Sequence, residues 1–387
     1  MKKLQADWLN APGTRAVFAI LNAAGFSAYA VGGCVRNTLL GVPVKDIDLS
    51  TDATPTAVMA LAKQAGLRAI PTGIDHGTVT VVSDDLPHEI TTYRRDVATD
   101  GRRAVVAFST DINDDARRRD FTMNALYADA SGAVVDPLCG LPDLQARRVR
   151  FIEDADQRIR EDYLRSLRFF RFHAWYGDTA KGFDPDALDA IARNIDGIAT
   201  LSHERVGVEM LRLLEAPDPV AAVAGMRSTG VLQAVLDSAD DRALGPLVHL
   251  ESTIQIPPDA IRRLACIGGE DVAEKLRLSR QDAERLRILM GGAQGDPKTS
   301  GYKLGEANAR DVHLIEAASL GAALEPSILD KIKIGAAQTF PIKAADLMPN
   351  LQGPALGAAL KALEGRWIES DFLLSRADLL GELGKEG

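Results

Sequence analysis

Asp46 and Asp48, one residue apart, are the first candidates for chemistry in this chain. On a strand, that spacing puts both carboxylates on one face while Ile47 and Leu49 turn toward a core. Upstream, the apolar run Tyr29-Ala30-Val31 ends in Gly32-Gly33, followed by Cys34-Val35-Arg36-Asn37. The pattern predicts a strand, a glycine turn, a helix of one to two turns and a second strand. Gly32 and Gly33 let backbone N–H groups approach an anion closely, and the following helix directs its positive end to the same place. Arg36 falls one helical turn further on, and the small Cys34 reads as packing. A phosphate cradle facing paired carboxylates is what metal-assisted phosphoryl transfer needs, with Mg²⁺ on oxygen ligands bridging a triphosphate and an attacking hydroxyl. Either half alone is commonly plain structure, a turn or a solvated strand end. Joined within residues 29–51, the two halves point to nucleotidyl transfer.

The surrounding chain must hold these groups in place. Residues 12–24 carry Val17, Ile20, Leu21 and Ala24 at helical spacing, stopped by Gly25. Thr54-Pro55 reads as a cap with proline at the first helical position. Residues 78–82 and 89–92 alternate like strands. Glu89 then falls on the face opposite Ile90, either as a third carboxylate that orients or deprotonates the attacking hydroxyl or as a solvated strand residue. Residues 96–103, polar and charged around Gly101, read as a mobile surface loop. Residues 114–126 read as a helix with Phe121, Ala125 and Leu126 inward. Arg119 would point into a cleft to clamp triphosphate oxygens, and Asp120 to accept from ribose hydroxyls.

These stretches resemble the class II nucleotidyltransferases, which include CCA-adding enzymes and bacterial poly(A) polymerases. The family pattern is Gly-Gly-x-Val-Arg-Asp followed by Asp-x-Asp, and Asn37 stands where an aspartate is usual. Arg118-Arg119-Asp120 resembles the family's Arg-Arg-Asp motif. Residues 96–103 fall where the family carries a loop that switches the enzyme from adding C to adding A. The turn-rich stretch Asp136-Pro137 to Asp143-Leu144 resembles the hinge between head and neck.

Beyond Gln157 the sequence is almost wholly helical. Over 156–176, Ile159, Tyr163, Leu167, Phe170 and Ala174 mark one buried stripe of one helix. Asp162 and Arg165, at i and i+3 on another face, can converge. The plain reading is a surface ion pair of under about 1 kcal/mol. The alternative is base reading: a carboxylate accepting from an exocyclic amine and a guanidinium donating to a ring nitrogen suit cytosine and adenine, and reject uracil and guanine. Glu161-Asp162-Tyr163-Leu164-Arg165 resembles the family's Glu-Asp-x-x-Arg motif, which templates C and A. Arg168 and Arg171 continue the ladder, lining the nucleotide pocket or touching RNA phosphates. Ser202 to Glu209 opens the next helix with a serine cap, and Glu204 and Glu209 are expected to brace the preceding helix.

The 387 residues exceed one ordinary core. The expected architecture is α+β: a nucleotidyltransferase head over 1–145 with a mixed sheet, a helical neck over 146–215, a body over 216–295 and an RNA-binding tail over 296–387. No run of about 18 apolar residues exists and the N-terminus lacks an apolar signal core, so a cytoplasmic, membrane-free protein is expected. Three scattered cysteines suggest neither disulfides nor zinc. None of the six histidines precedes an aspartate, so no His-Asp phosphohydrolase domain is expected. A net charge of −9 argues against nonspecific nucleic-acid binding. Residues 144–173, however, hold eight Arg against five Asp and Glu, a local +3 that could hold a compact RNA.

The resemblance implies addition of CCA to tRNA 3′ ends from CTP and ATP with Mg²⁺, and no obligate protein partner. Its catalytic residues would be Asp46, Asp48 and Glu89, with Gly33, Arg36, Arg119, Asp120, Asp162, Arg165, Arg168 and Arg171 around the nucleotide. The alternatives are a poly(A) polymerase, which often carries a basic C-terminal extension, a CC-adding enzyme, which typically lacks the 96–103 element, and a non-catalytic RNA-binding protein, which intact Asp46, Asp48, Arg119, Asp162 and Arg165 oppose.

Overall fold

Apolar alternation in the first third of the chain builds one mixed sheet. The computed structural model describes residues 3–100 and 103–383. Its strands are β1 (Ala28–Val31), β2 (Ile47–Thr51), β3 (Arg68–Gly73), β4 (Thr78–Ser83), β5 (Leu86–Thr92), β8 (Tyr127–Ala128) and β9 (Val134–Val135), ordered β3-β4-β5-β2-β1-β8-β9. β2 and β5 run parallel, whereas the neighbouring pairings are antiparallel. Ala30, Leu49, Val79, Val81 and Ile90 carry the buried face. Helices α1 (Asp7–Asn10), α2 (Pro12–Ala23), α3 (Gly33–Leu40) and α4 (Pro55–Gln64) accompany the sheet. Thr54 caps α4 by accepting from the Ala57 N–H, with Pro55 at its first position.

Of residues 96–103, expected as a mobile loop, 96–100 and 103 lie in an antiparallel ribbon of β6 (Arg94–Asp100) and β7 (Arg103–Phe108), whereas Gly101 and Arg102 lie outside the described residues. After the sheet region come α5 (Ile112–Arg117), α6 (Leu141–Gln145), α7 (Ala155–Glu161), α8 (Leu164–Tyr176), α9 (Pro185–Arg193) and α10 (His203–Leu214). Phe121, Phe151, Phe169 and Phe172 pack together, with Phe121 lying 5.0 Å from Phe151 and 4.9 Å from Phe172 by ring centroid. At the junction, Asp136 accepts from the N–H groups of Gly140 and Leu141 and fixes the turn into α6.

Two expected helices are shorter than their periodicity suggests. The helix expected over 114–126 ends at Arg117. The Thr122 N–H turns to the Arg150 carbonyl, the Ile152 N–H bonds to Asp120 O, and the Asp120 side chain takes the Phe121 N–H. One backbone donor and one acceptor that a helix would use are thus taken by the 150–152 segment, and a second donor by the Asp120 side chain. The helix expected over 156–176 is broken at Asp162, which is extended at φ −157°, ψ 104°. The Asp162 carboxylate accepts from the Leu164 N–H, a local bond that competes with helix continuation. The buried stripe itself is present, with Ile159 and Phe170 fully buried.

The described residues form two compact units, one of Met1–Ala239 with Glu270–Arg277, the other of Asp240–Gly269 with Leu278–Gly387. The second is helical throughout its described residues. Its distinctive feature is a buried charge network in which Arg262 meets Glu251 (2.8 Å) and Asp311 (3.0 Å), while Arg263 meets Glu251 (2.7 Å). A separate cluster there gathers Trp367, Phe372, Leu363 and Leu379. No helix among the described residues is long and apolar enough to cross a membrane.

Candidate active site

The parallel register of β2 and β5 sets Glu89 directly beside Asp48. Asp46 precedes the first residue of β2 and is exposed, whereas Asp48 is half-buried. Burial, then the neighbouring Glu89 and Asp46, push the Asp48 carboxyl up to about 6, against the pull of Arg119 and Arg36. A carboxylate so crowded by like charge suits a divalent cation. Among the described residues no group of three or more His, Cys, Asp or Glu side chains converges to hold a metal unaided. Mg²⁺ needs only one or two carboxylates when substrate phosphates and water complete its shell, so Asp46 and Asp48 fit that ion.

The glycine turn lies against these carboxylates. Gly32 has φ +68°, so glycine is favoured by conformation, and a β-carbon there would stand in tight contact, 3.3 Å, with the Arg119 guanidinium. Gly33 opens α3. The buried Cys34 thiol donates to the Val31 carbonyl (3.4 Å), which agrees with a packing role; burial raises its pKa to about 11. Arg36 is buried, donating to Asn37, Asn124 and Tyr176, with its guanidinium 4.0 Å from the Tyr176 ring centre. Asn37 therefore orients Arg36 through its own carbonyl oxygen.

Arg119 and Asp120 leave the end of α5 into a cavity of about 400 Å³, also lined by Gly32, Gly33, Arg36, Asp48, Asp162, Arg165 and Arg168. Arg119 donates to Asp115 (3.1 Å) and Tyr127 (3.2 Å). Asp115 is fully buried and accepts from Ser50, Tyr127, Arg118 and Arg119, partners that hold its carboxyl far below the usual range despite burial. Asp120 accepts from Asn124 (2.8 Å), the Phe121 N–H and Arg168 (2.9 Å from Nε), and sits at about 2 because these partners, Arg168 foremost, outweigh its desolvation.

Asp162 and Arg165 both line this cavity but do not pair with each other. Arg165 donates to Glu161 (2.6 Å) and to the Arg158 carbonyl (2.8 Å), while Asp162 accepts from Arg205 (2.6 Å). The expected convergence is replaced by two separately anchored groups, because the chain break at Asp162 turns its side chain toward α10. Arg171 bonds to Glu209 (2.5 Å), which also stands 3.7 Å from Arg168, so Glu209 braces α8 as expected. Glu204 does not brace it; that residue is exposed beside Arg277 (3.5 Å), and Ser202 makes no side-chain cap bond. Arg148 and Arg150 pair with Asp143, Arg160 with Asp156, and Arg158 with Glu161. The local excess of three is met by carboxylates outside 144–173: Asp143 for Arg148 and Arg150, Asp120 for Arg168 and Glu209 for Arg171.

A second cavity, of about 480 Å³, shares Gly33, Arg36 and Asp48 with the first and adds Asp46 and Arg171. The expected site residues are thus distributed over two cavities that share Asp48, with Glu89 joined through sheet register. Asp115, Asn124, Tyr176 and Arg205 are site supports that sequence reasoning did not assign. For Asp115 the signal was present, since it stands three and four residues before Arg118 and Arg119.

The model of the Poly A polymerase head domain matches residues 28–150, and that of the probable RNA and SrmB-binding site of polymerase A matches 182–242. The chain is 31% identical over 380 residues to human mitochondrial CCA tRNA nucleotidyltransferase 1, covering 92% of this chain and 86% of that protein. It is 30% identical to the CCA-adding enzyme of Latilactobacillus sakei, covering 90% and 91%. Among solved structures, the Bacillus stearothermophilus CCA-adding enzyme in complex with CTP aligns at a TM-score of 0.70 and 26% identity, over 93% of each chain. With this cavity geometry and these relatives, the chain belongs to the class II tRNA nucleotidyltransferase and poly(A) polymerase family.

Proposed function

We propose that this protein is a template-independent nucleotidyltransferase that adds CCA to the 3′ end of tRNA from CTP and ATP. The observation that carries the reading is that Asp162 and Arg165 open on the same cavity as Asp48 and Arg119. Base selection and phosphoryl transfer then share one enclosure. Four regions follow on this reading: a catalytic head over 1–145, a base-reading neck over 146–215, a body over 216–295 and an RNA-binding tail over 296–387, in a cytoplasmic protein.

In the reaction, the 3′-hydroxyl oxygen of the RNA bonds to the α-phosphorus of the nucleotide. The bond from that phosphorus to the β-phosphate oxygen breaks, and pyrophosphate leaves. Asp46 and Asp48 would hold Mg²⁺, which when bound would neutralise charge that builds on the phosphoryl oxygens. Glu89, beside Asp48, is placed to receive the hydroxyl proton. Arg119 and the N–H groups after Gly32 hold the triphosphate, and Arg36 fixes the wall behind it. Asp120, through Arg168, positions the ribose side of the cavity. Asp162 accepts from the exocyclic amine of cytosine or adenine, and Arg165 donates to the ring nitrogen. Both protein groups are anchored beforehand, Asp162 by Arg205 and Arg165 by Glu161, which lowers the ordering cost of reading a base.

The test is incorporation into tRNA lacking CCA and into tRNA ending in CC, with each nucleotide supplied separately. C is expected on the first and A on the second; incorporation of A alone, repeatedly, on both would make the protein a poly(A) polymerase. Arg165→Ala is expected to let UTP and GTP compete, with selectivity falling roughly ten- to a hundredfold, the worth of one lost charged hydrogen bond. Equal loss of all four nucleotides with selectivity kept would make the pair structural. Deleting residues 96–103 is expected to spare C addition and suppress the terminal A. Equal loss of both additions would make the ribbon a general support.

A further inference from the structure

The second cavity beside the carboxylates contains a side chain that no step above uses. Trp175, near the end of α8, is 38% exposed and lines this 480 Å³ space with Val42, Pro43, Lys45, Arg171 and Arg212. Its indole N–H is already satisfied, donating to the Arg212 carbonyl at 2.7 Å. The ring is thereby tethered by its polar edge while its apolar body remains partly in solvent. A large aromatic surface usually goes to the interior, so an anchored exposed ring among cationic groups has the composition of a base-stacking platform. Val42, Pro43 and Val44 supply an apolar wall, and Lys45 and Arg212 supply positive charge beside the Glu209-paired Arg171, facing the carboxylates of Asp46, Asp48 and Glu215.

The position of the cavity selects its occupant. In-line displacement places the attacking hydroxyl and the departing pyrophosphate on opposite sides of the α-phosphorus. The first cavity carries Arg119, Asp120, Asp162 and Arg165, the groups for the incoming nucleotide. The second shares only Gly33, Arg36 and Asp48 with it, and it alone reaches Asp46. We infer that this second cavity seats the 3′-terminal nucleotide of the RNA acceptor strand, with its base stacked on Trp175 and its phosphates met by Arg212 and Lys45. The inference rests on the nucleotidyltransferase reading above and adds to it a positioning platform for the attacking strand.

The experiment is steady-state incorporation of CMP into tRNA lacking CCA, varying tRNA and CTP separately. Trp175→Ala is expected to lower kcat/KM for tRNA roughly ten- to a hundredfold, the effect of one lost base–aromatic stack, with KM for CTP unchanged. Trp175→Phe keeps a ring and is expected to retain most of the wild-type value. Independently of turnover, a short RNA with a single-stranded 3′ CC end is expected to quench tryptophan emission in the wild type but not in Trp175→Phe, whereas CTP alone quenches neither differently. An increase in KM for CTP equal to the loss for tRNA would place a free nucleotide in this cavity and overturn the proposal. So would tRNA parameters within twofold of wild type in Trp175→Ala, or equal quenching by RNA in both proteins. Wild-type incorporation is the separate control: its absence would sink the function itself, whereas normal wild-type activity with an unaffected Trp175→Ala sinks only this seat.

Discussion

Asp48→Ala is expected to reduce nucleotide incorporation by about a thousandfold or more. On the proposed mechanism the residue would hold the metal, whose neutralisation of the transferring phosphoryl group is worth several kcal/mol, and each 1.4 kcal/mol is about tenfold in rate. The measurement is CMP incorporation into tRNA across a Mg²⁺ titration. Retention of more than a few per cent of activity with a wild-type metal response would remove Asp48 from the reaction. A second readout moves the other way. Asp48 is partly buried beside Glu89 and near Asp46, so its charge opposes folding in metal-free buffer. Asp48→Asn is therefore expected to raise the thermal midpoint of the metal-free protein by about 2 °C, the scale of a stabilisation of roughly 1 kcal/mol in a domain of this size. Lost activity with gained stability is the signature of a side chain kept for chemistry.

Asp115→Ala is expected to be the most destabilising single change in the head, at about 3–5 kcal/mol, the range for removing one partner of a buried ion pair. Its carboxylate has no solvent exposure and accepts from Ser50 on β2, Tyr127 on β8, and Arg118 and Arg119 at the end of α5. The substitution leaves two guanidinium groups and two hydroxyls without their acceptor. Because these partners hold the carboxyl well below its ordinary value, its contribution is fully present above about pH 4 and is lost as pH falls further. Chemical denaturation of wild type and variant at pH 7 and again at pH 3.5 checks both statements. A difference under 1 kcal/mol at pH 7 would mean that the arginines find other acceptors. Surviving protein is expected to show a raised KM for CTP, since Arg119 loses its anchor.

The local shape of the 29–51 stretch was legible because its information is short-range. Strand spacing alone puts Asp46 and Asp48 on one side, and the glycine turn needs only φ at Gly32. The Arg119-Asp120 and Asp162…Arg165 pairs were legible by resemblance and by local spacing. Their partners were not: Arg205 and Arg168 meet Asp162 and Asp120 across 43 and 48 residues, a separation no periodicity encodes. The breaks after Arg117 and at Asp162 were missed for a related reason. The apolar repeat continues through both, while a side-chain oxygen or a distant carbonyl takes the backbone donors. β3 was missed because its sequence, Arg-Ala-Ile-Pro-Thr-Gly, includes a proline and a glycine, tolerable only because it is the edge strand.

The parallel pairing of β2 with β5 links the chemistry to the core. Asp48 and Glu89 face each other because Leu49 and Ile90, their next neighbours, are also matched and are both buried. Side chains alternate with a period of two, so slipping β5 by one residue would bring Glu89 inward and expose Ile90, at the cost of apolar burial and of an unpaired inner charge. The alignment of the two carboxylates is therefore guarded by two aliphatic residues of the core. A one-residue insertion in the tight turn at Asp84–Asp85, however conservative in composition, would be read by the sheet as an error of phase.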